Sequence, residues 1–268
     1  MTHNPAYVAQ PVESKIPIRR ITAADLRASL ADGLADFREK RGDLLFVGLL
    51  YPLIGLATAV YFSGGRNIAL LFPLFAGLTL LGPLVASGFY ELAKRRERGQ
   101  DSNWWHFFDV FNSKASISIA AVGIGMIGIF CAWIASAAVI YTVFFGPEPP
   151  ASLTAFLSDL FTTSDGWGMI ILGNIVGAVF AVIVLAVSVV SLPLLVDRNV
   201  GAAAAVGASL RAFIKNPVIL LRWGIMVAAI LFVAAIPLLI GLAFALPVLG
   251  YATWHLYTRI VARDVIEG

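Results

Sequence analysis

Long apolar runs separated by clusters of lysine and arginine limit this chain to very few folds. Lys15, Arg19, Arg20, Arg27, Arg38, Lys40 and Arg41 precede the first run, and Lys94, Arg95, Arg96, Arg98 and Lys114 follow the second. Arg198, Arg211 and Lys215 lie between the fourth and fifth, with Arg222 at the start of the fifth, and Arg259 and Arg263 close the last. The connection 146–166 carries only acidic charges, Glu148, Asp159 and Asp165, and Arg66 alone falls on that opposite side. Basic flanks stay on the cytoplasmic side of a membrane, whereas acidic loops have little topological weight. The alternation predicts an all-α membrane protein of six transmembrane helices in three hairpins, with both termini cytoplasmic.

The runs lie at about 44–62, 67–92, 117–145, 167–196, 218–237 and 239–261. The third and fourth, at ~1.5 Å per residue, are each about 45 Å long against a hydrocarbon core of ~30 Å, so they must tilt, kink or protrude. The last two form one stretch that needs a tight reversal near Pro237–Gly241. Residues 1–20 read as a flexible cytoplasmic tail and 21–264 as a single six-span domain. With 59% apolar and 13% charged residues, a soluble globular domain is excluded. The small basic excess faces anionic lipid, and no basic face interleaved with aromatics suggests nucleic acid. The phospholipid bilayer is thus the first partner, and other membrane proteins are the second. Cys131 is the only cysteine, which rules out an intrachain disulfide.

Each hairpin is expected to follow an amphipathic helix on the cytoplasmic surface. In the first, Leu26, Leu30, Leu34 and Phe37 form a stripe at helical spacing, and Thr22 with Asp25 supplies a capping box. Its apolar stripe is expected to enter the inner leaflet. Trp104, Trp105, Phe107, Phe108 and Phe111 read as an interfacial aromatic belt. In the third, Val206, Leu210, Phe213 and Ile214 share a face, and Asn216-Pro217 restarts a helix. Proline motifs at Pro83–Ala86, Pro193–Val196 and Pro247–Gly250 recur near the return to the cytoplasm, which suggests a threefold internal repeat.

The runs contain almost nothing ionisable, although intramembrane charge commonly marks ion paths and proton relays. Six polar or interfacial positions stand out: Glu91, His106, Asn174, Asp197, Arg198 and His255. Glu91 and Arg95 form a favourable i,i+4 pair, and Glu91, Asp197 and Arg198 read as snorkelling anchors at span ends. Asn174 reads as a packing contact, and Gly173 with Gly177 as a small-residue motif for close helix approach. His106 and His255 read as wet interfacial histidines, too few and too isolated for a haem or metal site. No cofactor is expected, and neither a nucleophile elbow, a phosphate-cradling loop nor an H-E-x-x-H motif occurs, so the chain does not read as an enzyme.

The ordered set 83–92 (PLVASGFYEL), 95–99 (RRERG), 192–198 (LPLLVDR) and 250–257 (GYATWHLY) resembles a bacterial family of integral membrane proteins catalogued as a domain of unknown function. The resemblance runs over about 18–263 and implies a multi-span inner-membrane protein without an assigned activity. The expected function is an accessory or scaffold protein of an envelope or respiratory membrane complex. The alternative is a carrier or channel for an apolar or lipid-like substrate, which a cavity lined by Thr79, Ser136 and Asn174 would favour.

Overall fold

A computed structural model describes residues 16–39, 53, 71–237 and 239–263. The run at 44–62 lies outside the described residues apart from Leu53, as do residues 67–70 of the second run. The described chain is helical: α1 (Ala23–Glu39), α2 (Leu71–Leu80), α3 (Gly82–Glu97), a 3-10 segment (Trp104–Asn112), α4 (Ser116–Phe145), α5 (Leu153–Thr162), α6 (Ser164–Ser188), α7 (Ser191–Asp197), α8 (Ala202–Lys215), α9 (Pro217–Ala235) and α10 (Leu242–Ile260). Among the described residues, three helical stretches are long and apolar enough to cross a membrane: Ser116–Phe145, Ser164–Asp197 and Pro217–Ala235.

Proline explains two of the breaks. Pro83 cannot donate a backbone hydrogen bond, so α2 ends at Leu80 and α3 restarts at Gly82 with Pro83 in its first turn, and Leu84 N–H bonds the Leu81 carbonyl at 3.0 Å. Pro193 interrupts the fourth run between α6 and α7. The Val190 N–H there donates to Ser209 Oγ on α8 at 3.1 Å, so a side chain from another element satisfies the kink. The third run has no such break, and α4 continues for 30 residues. The 217–260 stretch reverses as expected: α9 ends at Ala235, and α10 begins at Leu242 after a turn containing Leu239 at φ 66°. The 146–166 connection holds a helix the apolar pattern did not announce. α5 is capped by Ser152, whose Oγ accepts from Ala155 N–H at 3.1 Å, and Phe156 packs against Tyr141 and Phe145 of α4.

The core lies where α1, α3, α7, α8 and α10 meet. The first amphipathic helix departs from its expected place in the leaflet. α1 runs antiparallel along α10, and Leu26, Ser29, Gly33 and Phe37 form its buried face, with Leu30 and Leu34 only half-buried. Gly33 permits this approach, since a Cβ there would stand 2.5 Å from the Ala252 backbone nitrogen. Residues 16–20, expected in a flexible tail, are strapped to the end of α10: Ile18 bridges Val261, and Arg19 N–H bonds the Ile260 carbonyl at 2.7 Å.

α8 packs only part of its expected face inward, with Val206 and Phe213 partly buried against the core. Ala205, Ala208, Ser209 and Ala212 are fully buried, because small side chains let the helix approach α6 and α7, whereas Leu210 and Ile214 of the expected face are exposed. Gly177 receives the Trp133 ring while Gly173 meets open space, so the pair does not bring two helix backbones together. The described residues show neither the six-span hairpin arrangement nor a threefold repeat. They do show that the three proline motifs lead into segments, α3, α7 and α10, that pack against one another.

Candidate functional site

The ionisable residues of α1, α3, the 3-10 segment, α7 and α10 gather at one end of the molecule. On α1, Asp32, Asp36 and Glu39 recur at i, i+4 and i+7 and give the helix an acidic face. α10 answers with His255 and Arg259, also four apart. Because the helices are antiparallel, Asp32 meets Arg259 at 2.6 Å and Asp36 meets His255 Nε2 at 2.8 Å. Arg96 of α3 bonds Asp36 through Nε at 2.8 Å and pairs with Glu39, which joins a third helix to the first two.

Glu91 is buried at the inner edge of this cluster and pairs with Lys94 and with Arg95 Nε at 3.1 Å, which includes the expected i,i+4 pair. Lys94 also donates to the Val196 carbonyl at 3.0 Å, and Arg95 extends to Asp109 at 2.8 Å. Glu91 is thus a hub between α3, α7 and the 3-10 segment. Asp197 is the corresponding hub on α7, with its side chain 3% exposed. It accepts from the Tyr257 hydroxyl at 2.8 Å and from Arg98 at 3.2 Å, and Arg263 lies at 3.8 Å. Arg198 stands against it at 3.6 Å and reaches the Arg263 carbonyl at 3.4 Å.

Glu97 pairs with Arg263, accepts from the Trp254 indole at 3.0 Å, and has the same guanidinium 6.0 Å from the Trp254 ring centre. Burial raises the Glu97 pKa, but the Arg263 guanidinium and the indole donor outweigh it and hold the carboxyl below its ordinary range. Arg263 is raised correspondingly: burial works against its charge, and Glu97 and Asp197 prevail.

His106 Nδ1 lies 2.6 Å from Asp109, and its Nε2 is 3.4 Å from Asp101. His106 and His255 are therefore held by different carboxylates on different elements. Among the described residues, no three histidine, cysteine, aspartate or glutamate side chains form a group able to hold a metal. The cluster thus gathers Glu91, Asp197, Arg198, His106 and His255 at one end, and leaves out Asn174. That residue is exposed on α6 and donates to its own helix at the Ile170 carbonyl, 2.8 Å away, so it makes no packing contact of the expected kind.

Sequence reasoning missed Asp32, Asp36, Glu97, Tyr257 and Asn216. Asn216 is buried, accepts from the Ile21 N–H at 2.9 Å and donates to the Arg19 carbonyl at 3.1 Å, which clamps the N-terminal strap to the start of α9. The matched i,i+4 charges on α1 and α10 were the available signal for the acids.

The 3-10 segment adds an apolar ridge beside the cluster. A 3-10 helix has 3.0 residues per turn, so residues three apart lie above one another. Phe107 and Val110 therefore share the core side, with the Phe107 ring against Gly88 of α3. His106 and Asp109 share the polar side, and Trp105, Phe108 and Phe111 stand exposed on the third.

No curated protein and no solved structure matches the chain. The family model described as "Predicted integral membrane protein (DUF2189)" matches residues 71–197, which contain the motifs at 83–99 and 192–197 and leave the 250–257 motif outside. Over that segment the chain is similar to the DUF2189 family of predicted integral membrane proteins.

Proposed function

We propose that the chain is a six-span inner-membrane protein with cytoplasmic termini that acts without catalysis, as an accessory or scaffold protein of an envelope or respiratory membrane complex. The observation that carries this reading is the commitment of the charged groups to one another. Asp197, Asp36 and Glu97 each bind cations or donors from other segments, and Glu91 holds Lys94 and Arg95 of its own helix, which in turn reach α7 and the 3-10 segment; the cluster is thus a fastener between elements. A catalytic acid or base needs a proton-accepting atom directed at a substrate, whereas here those atoms face neighbouring side chains. The exposed ridge of Trp105, Phe108 and Phe111 beside this rigid end supplies large, stiff contact area for the membrane interface or for a neighbouring protein.

The transport alternative called for a path along Thr79, Ser136 and Asn174. Of these, only Thr79 borders an apolar cavity; Ser136 is half-buried and Asn174 exposed, and each bonds its own helix, Ser136 at the Ala132 carbonyl 2.8 Å away. The accessory reading is tested by solubilising membranes in mild detergent and measuring the mass of the particle that contains the tagged chain. A particle with a second membrane protein in fixed stoichiometry, lost on Trp105→Ala/Phe111→Ala replacement, is expected. A chain that runs alone in every mild detergent would overturn it.

A further inference from the structure

We propose that the cavity between α6 and α9 holds one acyl chain of a membrane phospholipid, a binding site independent of the accessory role. The cavity measures about 470 Å³, within the ~300–1,000 Å³ typical of small-ligand sites. Its α6 wall runs from Ala178 to Val189 and its α9 wall from Leu221 to Leu231. At ~1.5 Å per residue each wall is about 15 Å long, which is half of a ~30 Å hydrocarbon core, or one leaflet.

The position agrees with the length. Both walls belong to stretches apolar enough to span a membrane, and Ala178, Ala181, Ile225 and Ala228 at the mouth are exposed. Small residues on facing helices leave a lateral slot toward the lipid. The cavity occupies the C-terminal half of α6 and the middle of α9.

The lining chemistry selects hydrocarbon. The hydroxyls of Ser188 and Thr253 at the inner end bond the Val184 and Leu249 carbonyls of their own helices, each at 2.7 Å. Water needs two to four polar partners, and those hydroxyls already direct their hydrogens elsewhere. Volume divided by length gives a mean cross-section of about 30 Å², too narrow for a helix of ~10 Å diameter and suited to a polymethylene chain.

Trp223, on the cavity wall, is the internal probe. The full chain is reconstituted in vesicles of phosphatidylcholine brominated midway along its acyl chains and in vesicles of the unbrominated lipid, since bromine quenches indole fluorescence on contact. The Trp223 contribution is the difference between wild type and Trp223→Phe. It is expected to be at least halved by the brominated lipid, and Ala228→Phe or Ala178→Phe, each filling the mouth, should restore it. Equal Trp223 emission in the two vesicles would overturn the proposal, with the cavity then filled by protein or empty. Quenching that survives both mouth variants would overturn it as well. Because the wild-type comparison needs neither mouth variant, a misfolded variant leaves the test intact.

Discussion

At the scale of single residues, Asp197 and Glu97 show how position decides what a carboxylate contributes. Asp197 is buried with a hydroxyl and guanidinium groups around it, so Asp197→Ala leaves those donors without their acceptor. Breaking a buried ion pair costs ~3–5 kcal/mol, and thermal unfolding in detergent should show a large drop for Asp197→Ala and almost none for exposed Asp159→Ala. Glu97 is more exposed, and its effect is read through pH. Its folded-state pKa is depressed, as is that of Asp25, whose carboxylate accepts from the Thr22 hydroxyl and N–H. A depressed carboxylate adds stability that is complete above the unfolded pKa of ~4 and disappears as pH falls through the folded value. The unfolding midpoint should therefore stay level from neutral pH to about that value and then fall, and Glu97→Gln should reduce the fall. An unchanged acid limb in Glu97→Gln would show that Arg263 does not hold this carboxylate in its charged form.

The elements show which parts of the fold the sequence disclosed. The capping box of α1, the restart at Pro217, the reversal near Pro237 and the long third run were legible, because each depends on chemistry within a few residues. The partner of α1 was not. An apolar stripe at helical spacing is equally suited to lipid or to another helix, and only the acidic row of Asp32 and Asp36, matched by His255 and Arg259, pointed to α10. α8 misled for a different reason: Leu210 and Ile214 carry more apolar area, but close helix approach favours the alanine side. The 3-10 segment was read as an undivided aromatic belt, although a period of three separates its core, polar and exposed sides. Since α1 is held by close contact at Gly33, Gly33→Val should displace it and speed hydrogen exchange across 23–39, whereas Ala31→Val on the exposed side should not. Equal exchange in the two variants would place the α1–α10 contact elsewhere.

For the whole molecule, the charged cluster and the basic flanks agree on one face. Reporter fusions after Gly99 and after Lys215 should be cytoplasmic and a fusion after Pro150 periplasmic, in keeping with basic residues at 94–98 and 211–222 and acidic ones at 148–165. A cytoplasmic Pro150 reporter would require a different span count. The cluster also brings the four motif segments together although they are apart in sequence: Glu91, Arg95, Asp197 and His255 help hold α3, α7, α10 and the elements around them.

The antiparallel union of α1 with α10 has a consequence in time. Gly33 leaves the ribosome 219 residues before Ala252, its closest neighbour across that union. At ~5–20 residues per second, α1 waits roughly 10–45 s with Leu26 and Phe37 uncovered while the intervening spans enter the bilayer. During that interval the nearest apolar medium is the membrane surface, and an amphipathic helix rests there readily. A nascent chain stalled before Leu242 should keep α1 open to protease or bound to lipid, and one released after Arg263 should protect it. α1 is therefore made long before it is sealed, and birth order leaves it on the membrane before folding draws it into the protein.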